Sequence, residues 1–211
     1  MKILVLSDIH SQVEKLAEIR QNIPTEVDTA LILGDLTNYG DKHPKEIIDI
    51  IGLEKFYAIP GNLDDWRTLD ELEELGVSIH GKKVRFGEVT LIGFGGGLEG
   101  HTGRILNNEE KIYTTLENIL EGEEHVILAT HLPPKDTSID LGYNNEHLGS
   151  SAVRRIIEKY SPSIHLCGHI HNAKGETKIG NTLSINIGPA KEGNALLLDI
   201  GKEINFKRIE V

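Results

Sequence analysis

Residues that can bind metal ions recur at the ends of short apolar runs along this chain. An aspartate or a histidine follows "KILVL", "VILAT" and "IHLCG", and glycine with aspartate or asparagine follows "TALIL" and "FYAIP". A single residue of this kind most often closes a turn, but seven in the same local context predict one metal site. The seven residues are Asp8, His10, Asp35, Asn62, His131, His169 and His171.

The spacing of these residues indicates that they face one place. Asp8 and His10 are two residues apart, as are His169 and His171. Residues two apart in extended chain point to the same side. In parallel α/β sheets, ligands collect beyond the carboxyl ends of the strands. We therefore expect the five strand ends to converge.

The types of donor atom indicate which metals fit. Carboxylate, imidazole and amide groups without a thiolate suit Mn²⁺, Fe, Co²⁺, Ni²⁺ or Zn²⁺. Seven ligands are too many for one such ion but suit two ions that share an aspartate. A pair of divalent ions attracts an anion, activates water and clamps a phosphoryl group. The expected cofactors are therefore two divalent metal ions, and the expected partner is a small phosphate ester.

The elements that position these residues alternate in the first half of the chain. Strands are predicted at 2–6, 29–33 and 55–59, with a helix after each, which predicts a parallel sheet. Ser11 and Glu14 match a capping box for the first helix. The third helix is expected from Asp65 to Leu75, with Leu75 buried and Gly76 ending it.

The second half predicts another sheet with its own helices. Gly87 and Glu88 indicate a hairpin between strands 83–86 and 89–94. Helices are predicted near 109–121 and after Ser150, and the segment 133–150 is a candidate functional loop. The remaining strands are predicted at 125–129, 164–167, 176–179, 183–187, 195–200 and 204–210.

Composition limits the class of protein. The 211 residues predict a single domain over residues 1–211, and the formal net charge of −11 disfavours non-specific binding of nucleic acid. No apolar run approaches the roughly 20 residues of a membrane span, and no signal peptide is visible. With Cys167 as the one cysteine, these features predict a cytoplasmic protein without a membrane partner, and a homo-oligomer stays open.

The candidate metal ligands fall into five short sequence blocks, and in chain order these blocks resemble the motifs of the calcineurin-like metallophosphoesterase family. The blocks are Asp8-x-His10, Gly34-Asp35, Gly61-Asn62-x-Asp64, His131 and Gly168-His169-x-His171. The resemblance implies a four-layer α/β/β/α sandwich with two mixed β-sheets. It also implies hydrolysis of a phosphoester by a metal-bridging hydroxide, with manganese the favoured metal.

The family pattern also implies roles for individual residues. One metal would take Asp8, His10 and His171, and the other would take Asn62, His131 and His169, with Asp35 bridging them. We expect Asp35, Asn62 and His131 to act in catalysis. The segments "HLPPKDTSID", "GSSAVRRIIEKYSP" and "GHIHNAKG" resemble a subgroup of small phosphodiesterase-like members, so a phosphodiesterase is the leading prediction.

Substrate contacts are predicted beside the metal site. "GGGLEG" at 95–100 matches a dinucleotide-binding pattern, but no helix pattern follows it. We predict instead a glycine-rich loop that brings His101 or Arg104 towards a substrate also bound by Asn62. Leu63 departs from the family pattern, because many members have a histidine there that protonates the leaving oxygen. Since leucine cannot donate a proton, activated diesters are the expected substrates.

Two other functions are compatible with these motifs. A non-enzymatic scaffold would keep the fold, although all seven ligand positions are intact here. A nuclease would also use two metals, although the acidic balance weighs against it.

Overall fold

The computed structural model describes residues 1–201 and 203–211, which form thirteen strands and five α-helices. The strands are β1 Lys2–Leu6, β2 Thr29–Leu33, β3 Phe56–Ile59, β4 Lys82–Phe86, β5 Val89–Phe94, β6 Gly97–Leu98, β7 Leu106–Asn107, β8 Val126–Thr130, β9 Ile164–Cys167, β10 Gly175–Ile179, β11 Thr182–Asn186, β12 Asn194–Ile200 and β13 Ile204–Glu210. The helices are α1 Val13–Asn22, α2 Pro44–Ile51, α3 Trp66–Glu74, α4 Glu109–Leu120 and α5 Ser151–Tyr160. Within the described residues, none of these helices is long and apolar enough to cross a membrane.

The first large sheet contains both ends of the chain. Its strand order is β13-β12-β1-β2-β3, with β1, β2 and β3 parallel and the two C-terminal strands antiparallel. The second large sheet has the order β10-β11-β9-β8-β5-β4, with four parallel strands in its middle. Both sheets are therefore mixed, as predicted. In each, the parallel strands end at one edge.

Burial on both faces of each sheet produces four layers. Side chains alternate along a strand, so Ile3 and Val5 pack towards the second sheet, where they meet Ile127 and Leu166. Leu4 and its outward-facing neighbours pack on α1, α2 and α3. The opposite face of the second sheet packs on α4 and α5. The predicted α/β/β/α sandwich is confirmed.

Two local predictions for the first half are wrong. The Ser11 side chain does not cap α1; its Oγ donates to Asp41 at 2.5 Å, and the N-cap is Gln12, whose side chain makes no capping bond. Leu75 is 44% exposed because it follows the last turn of α3, where Leu69 and Leu72 already form the buried face. The other helix starts are better predicted, since Asp65 and Ser150 both cap helices with their side chains.

Candidate metal centre

The loops after β1 and β2 continue the pairing of their strands. The backbone N–H groups of Asp8 and His10 donate to the carbonyls of Gly34 and Asp35, at 3.0 and 2.9 Å. Ser11 makes the next such bond, to Leu36. The parallel register therefore extends past the sheet. It places the Asp8 and Asp35 carboxylates, which are nearly fully buried, side by side.

One group of possible ligands consists of Asp8, His10 and His171. One ligand atom from each lies within 4.8 Å of the other two. Nε2 of His171 is 3.2 Å from Asp8 Oδ1 and 3.2 Å from His10 Nε2. These residues come from the loops after β1 and β9, so the two sheets meet here.

A second group contains Asp8, Asp35 and His131, with Asn62 and His169 beside them. Nε2 of His131 lies 3.0 Å from Asn62 Oδ1, and the His131 ring lies edge-on to His169 at 4.9 Å. The two oxygens of Asp35 face different groups: Oδ2 is 3.7 Å from His10 Nε2 and Oδ1 is 3.7 Å from His131 Nε2. All seven predicted ligands are thus brought together, with Asp35 between the two groups.

The hydrogen bonds around Asn62 and His131 fit a bound cation. Nδ1 of His131 donates to the carbonyl of Leu33 at 2.8 Å, so Nε2 of the neutral ring carries a lone pair. Asn62 Nδ2 donates to the carbonyl of Thr102 at 2.8 Å, which turns Oδ1 towards His131. Two lone pairs therefore face each other across 3.0 Å. A cation that accepts both pairs of electrons resolves this contact.

His10 in the other group is oriented in a similar way. Nδ1 of His10 lies 3.1 Å from Oδ1 of Asn38, whose Nδ2 donates to the His10 carbonyl. The Asn38 amide is thus oriented so that Nδ1 of His10 donates, and Nε2 keeps its lone pair. That atom faces Nε2 of His171. Each of the two groups therefore contains oriented donor atoms, His10 in one and Asn62 with His131 in the other, which fits two ions.

Glycines allow the ligand loops to approach each other. A Cβ atom on Gly61 would lie 2.0 Å from Asp35 Oδ1 and 2.2 Å from the Asp35 nitrogen. A Cβ atom on Gly168 would lie 1.8 Å from Ser7 Oγ and 2.4 Å from Asp8 Oδ2. Side chains cannot be accommodated at such distances. The glycines of the two motifs are therefore required by packing against the carboxylates.

Four of the seven ligands have left-handed backbone conformations. Their φ angles are 54° for Asp8, 49° for His10, 49° for Asp35 and 69° for His169. Residues other than glycine adopt this region uncommonly, and each instance costs of order 1 kcal/mol. Such strain is enriched at functional sites, where the surrounding structure overrides the local preference.

Burial and charge act differently on the two central carboxylates. Burial opposes ionisation of Asp8, but hydrogen bonds from His171 and Ser7 hold its pKa below the ordinary value. Burial raises the pKa of Asp35 well above its ordinary value, and the negative charge of Asp8 raises it further. A carboxylate pair of this kind repels itself unless a cation lies between the groups. The electrostatics therefore also favour a bound metal.

His10 and His169 are held neutral by their surroundings. Burial lowers the pKa of His10 to about 4 and that of His169 to about 3. Neutral imidazole is the form that binds a metal. The side chains are thus prepared to coordinate at neutral pH without releasing a proton.

Asp64 joins the two loops that carry Asp35 and Asn62. Its buried carboxylate accepts from the backbone nitrogens of Leu36, Thr37 and Gly61 at 3.2, 2.9 and 2.8 Å. The neighbouring Leu63 donates its own N–H to Asp35 Oδ1 at 2.8 Å. Asp64 is therefore positioned to hold the metal ligands in place, and Leu63 adds an apolar, half-buried side chain beside them.

The predicted substrate residues lie in different surroundings. His101 lines a cavity of about 290 Å³ together with Asn62, His169 and His171. The Arg104 backbone donates to the Asn62 carbonyl at 2.8 Å, but its guanidinium lies 3.4 Å from Asp65 Oδ2, outside the residues that line the cavity. The structure therefore places His101 beside the metal ligands and pairs Arg104 with Asp65.

Lys191 is a residue near the centre that sequence reasoning missed. It lies in the 3-10 turn Ala190–Glu192, and its N–H contacts the Asp8 carbonyl at 3.3 Å. Its positive charge lowers the pKa of His10 and opposes the rise at Asp35. It belongs to none of the metal-binding motifs, and only its place in the connection between β11 and β12 could have indicated it.

A model of the family described as calcineurin-like phosphoesterase matches residues 1–173. The chain belongs to the calcineurin-like phosphoesterase family. The matched segment contains all seven ligand residues. Membership, together with the two groups of possible ligands, indicates a metal-dependent phosphoesterase.

Relatives of this phosphoesterase cover almost the whole chain. An uncharacterized protein of Methanocaldococcus jannaschii is 29% identical over 198 residues, which span 90% of this chain and 88% of that protein. The crystal structure of TT1561 of Thermus thermophilus superposes with a TM-score of 0.71, at 18% identity, over 98% of this chain and 97% of that one. A dimetal phosphatase from Danio rerio gives a TM-score of 0.65, at 11% identity, over 100% and 96% of the two chains. At 18% and 11% identity, these two crystal structures show that the chain shares their fold.

Proposed function

We propose that this phosphoesterase hydrolyses small phosphodiesters with two divalent metal ions, and that manganese supports the reaction. The observation that carries the proposal is the orientation of the donor atoms: the lone pairs of Asn62 and His131 face each other in one group, and the lone pair of His10 Nε2 faces inward in the other. This orientation makes room for two cations on either side of Asp35. The cavity of about 290 Å³ opens directly beside them and supplies space for an ester.

The ligand assignment in this proposal follows the two groups. Asp8, His10 and His171 would hold one ion. Asn62, His131 and His169 would hold the other, and each oxygen of Asp35 faces one of the two groups. When bound, two such ions supply a nucleophile at neutral pH and neutralise charge on the phosphoryl oxygens.

The chain itself contributes orientation of the reacting groups. Asn62 is held by Thr102 and by the backbone bond from Arg104, so its amide oxygen has one fixed direction. His131 is oriented by the Leu33 carbonyl. Since misplacement by about 1 Å can cost about 10²-fold in rate, these fixed side chains support the catalytic roles proposed for Asp35, Asn62 and His131.

The preference for diesters with good leaving groups comes from Leu63. A positioned acid speeds the departure of a poor leaving group by roughly 10²–10⁴-fold, and a leucine cannot act as one. The neighbouring Asp64 is committed to backbone amides of three residues. We therefore include activated phosphodiesters in the proposal.

Compartment and organisation complete the proposal. The length of 211 residues supports a single domain over residues 1–211. The buried free thiol of Cys167 supports a cytoplasmic location.

The direct test compares the native chain with Asp35→Asn. Bis(p-nitrophenyl) phosphate and added Mn²⁺ provide the assay, and Asp199→Asn, which alters an exposed carboxylate in β12, is the matched control. We expect metal-dependent hydrolysis by the native chain and by Asp199→Asn, and a loss of at least about 10²-fold in Asp35→Asn. Equal, slow rates for all three would refute the proposal. Two tightly bound metals without hydrolysis would favour a scaffold instead.

A further inference from the structure

The segment from Leu141 to His147, here called the finger, is a short folded projection next to the metal ligands. Leu141 and His147 form an antiparallel bridge, and the Gly142 N–H donates to the Glu146 carbonyl at 2.8 Å. Asn145 closes the turn by donating to the Gly142 carbonyl. The finger therefore has defined internal hydrogen bonds although it extends from the surface.

The base of the finger is fixed by a fully buried carboxylate. Asp140 accepts from the backbone of Thr137 at 2.8 Å and of Gly149 at 3.1 Å. The Nδ1 atom of His147 donates to the same carboxylate at 2.8 Å. Asn172, next to the ligand His171, donates to the Leu141 carbonyl at 3.0 Å. These contacts hold the finger at a fixed position relative to the metal centre.

The rigid finger presents an exposed aromatic side chain. Tyr143 is 82% exposed, which is the highest value among the large hydrophobic side chains in the described residues. Aromatic rings of this size bury about 150–250 Å² in ordinary packing, so leaving one in water forgoes a large favourable term. A ring that is held out at the tip of an anchored projection therefore has a free face for a ligand.

Tyr143 lies at the cavity that contains the metal ligands. The lining of the cavity of about 290 Å³ includes Tyr143, Leu148, His101 and Thr102. Asn62, His169 and His171 belong to the same lining. A molecule whose phosphoryl group lies at the metal ligands would thus place its organic group beside Tyr143.

The chemistry of the lining identifies the organic group. An aromatic face binds a planar ring by stacking, and Leu148 and Ile170 add apolar contact. The volume is near the lower limit for small-molecule sites, which suits one ring system with a sugar. The formal net charge of −11 disfavours a longer nucleic acid, whose many phosphates would be repelled.

We propose that the finger is the specificity element of this enzyme, and that Tyr143 stacks on the base of a single nucleoside esterified at the reacting phosphate. This inference rests on the proposed phosphodiesterase function and adds the substrate class. Stacking of a base on an aromatic side chain typically changes affinity by roughly 5- to 150-fold.

The test uses two diesters, of which one carries a nucleoside and the other a methyl group. Thymidine 5′-(p-nitrophenyl phosphate) and methyl p-nitrophenyl phosphate carry the same charge and release the same p-nitrophenolate. We expect kcat/KM to be roughly 5- to 150-fold higher for the thymidine ester, mainly through a lower KM. Tyr143→Ala should bring the ratio close to one, whereas Tyr143→Phe should keep it.

Trp66→Ala is the matched control, because Trp66 is a 55% exposed aromatic outside the cavity lining. It should keep the native ratio. A native ratio near one would overturn the inference, as would equal losses on both esters in Tyr143→Ala. Such results would leave the phosphodiesterase activity itself intact, because the methyl ester reports it separately.

If neither ester is hydrolysed, the proposed phosphodiesterase function is refuted, and a binding measurement then tests the role of Tyr143 by itself. Calorimetry on the Mn²⁺-loaded protein would compare thymidine 5′-monophosphate with 2-deoxyribose 5-phosphate. The inference would be supported if the native protein bound the nucleotide more tightly than the sugar phosphate and Tyr143→Ala removed that difference. Equal affinities of the native protein for the two ligands would overturn it.

Discussion

Gly61→Ala is a small substitution that should disrupt the metal centre. Gly61 separates the end of β3 from the ligand Asn62, and its backbone passes directly over the Asp35 carboxylate. An added Cβ atom would lie 2.0 Å from Asp35 Oδ1 and 2.2 Å from the Asp35 nitrogen. Neither neighbour can move easily, because Oδ1 accepts from Leu63 and the backbone of Asp35 is bonded to His10.

The structure sets the size of the expected effect. Ordinary van der Waals contact begins near 3.4 Å, so the two loops must separate by about 1.4 Å to accept the methyl group. Overpacking of this kind typically costs about 1–3 kcal/mol of the free energy of unfolding. A displacement of about 1 Å at a reacting centre can reduce the rate by about 10²-fold. We therefore expect weaker metal binding and at least that loss of hydrolysis.

The assay has to separate loss of metal from loss of folding. Equilibrium dialysis against Mn²⁺ gives the number of ions bound per chain, and urea unfolding of the metal-free protein gives the stability. Gly175→Ala is the matched control, because an added Cβ atom there meets no atom closer than 3.7 Å. We expect the control to bind metal like the native chain, and Gly61→Ala to bind less metal while it is still folded. Native metal affinity and native activity in Gly61→Ala would refute the reasoning.

Two further predictions concern other parts of the molecule. Leu63 cannot protonate a leaving group, so the ratio of hydrolysis rates between p-nitrophenyl diesters and dialkyl phosphates should exceed the ratio for their uncatalysed hydrolysis. Leu63→His should lower this ratio. Comparable rates of the native enzyme on both substrates would contradict the prediction. His165 lies between Thr130 and Ser184, and burial lowers its pKa to about 3. The ordinary pKa of histidine is about 6.5, so between pH 6.5 and pH 3, roughly, the unfolded chain binds one proton more than the folded chain. The free energy of unfolding should thus fall as pH is lowered through this window, and His165→Gln should reduce the slope by up to about 1.4 kcal/mol per pH unit; an unchanged slope in urea unfolding would contradict the assignment.

The convergence of the metal ligands was predictable because it depends on strand direction. Asp8 and Asp35 each follow a parallel strand, and parallel strands end at one edge of a sheet. The spacing of His169 and His171 also predicted that their loop faces this place. How the seven ligands divide between two metal ions was implied only by the family resemblance.

Features set by long-range contacts were not predictable. Ser11 matches a capping box, but the partner that takes its hydroxyl, Asp41, is 30 residues away. Leu75 continues the apolar spacing of α3, but it follows the last residue of the helix and its side chain is exposed. The finger has no motif either, because its shape depends on the buried carboxylate of Asp140 and on a bond from Asn172. In each case a tertiary contact overrides or adds to the local signal.

The position of β1 in its sheet bears on when the metal centre can form during synthesis. β1 carries Asp8 and His10 at its end, and it pairs with β2 on one side and with β12, residues 194–200, on the other. The segment matched by the family model ends at residue 173, before that second neighbour begins. β1 therefore leaves the ribosome long before one of the two strands with which it pairs is made. Contacts between such distant residues form slowly, so the two aspartates become fixed late, after the histidines of the second sheet are already in the chain.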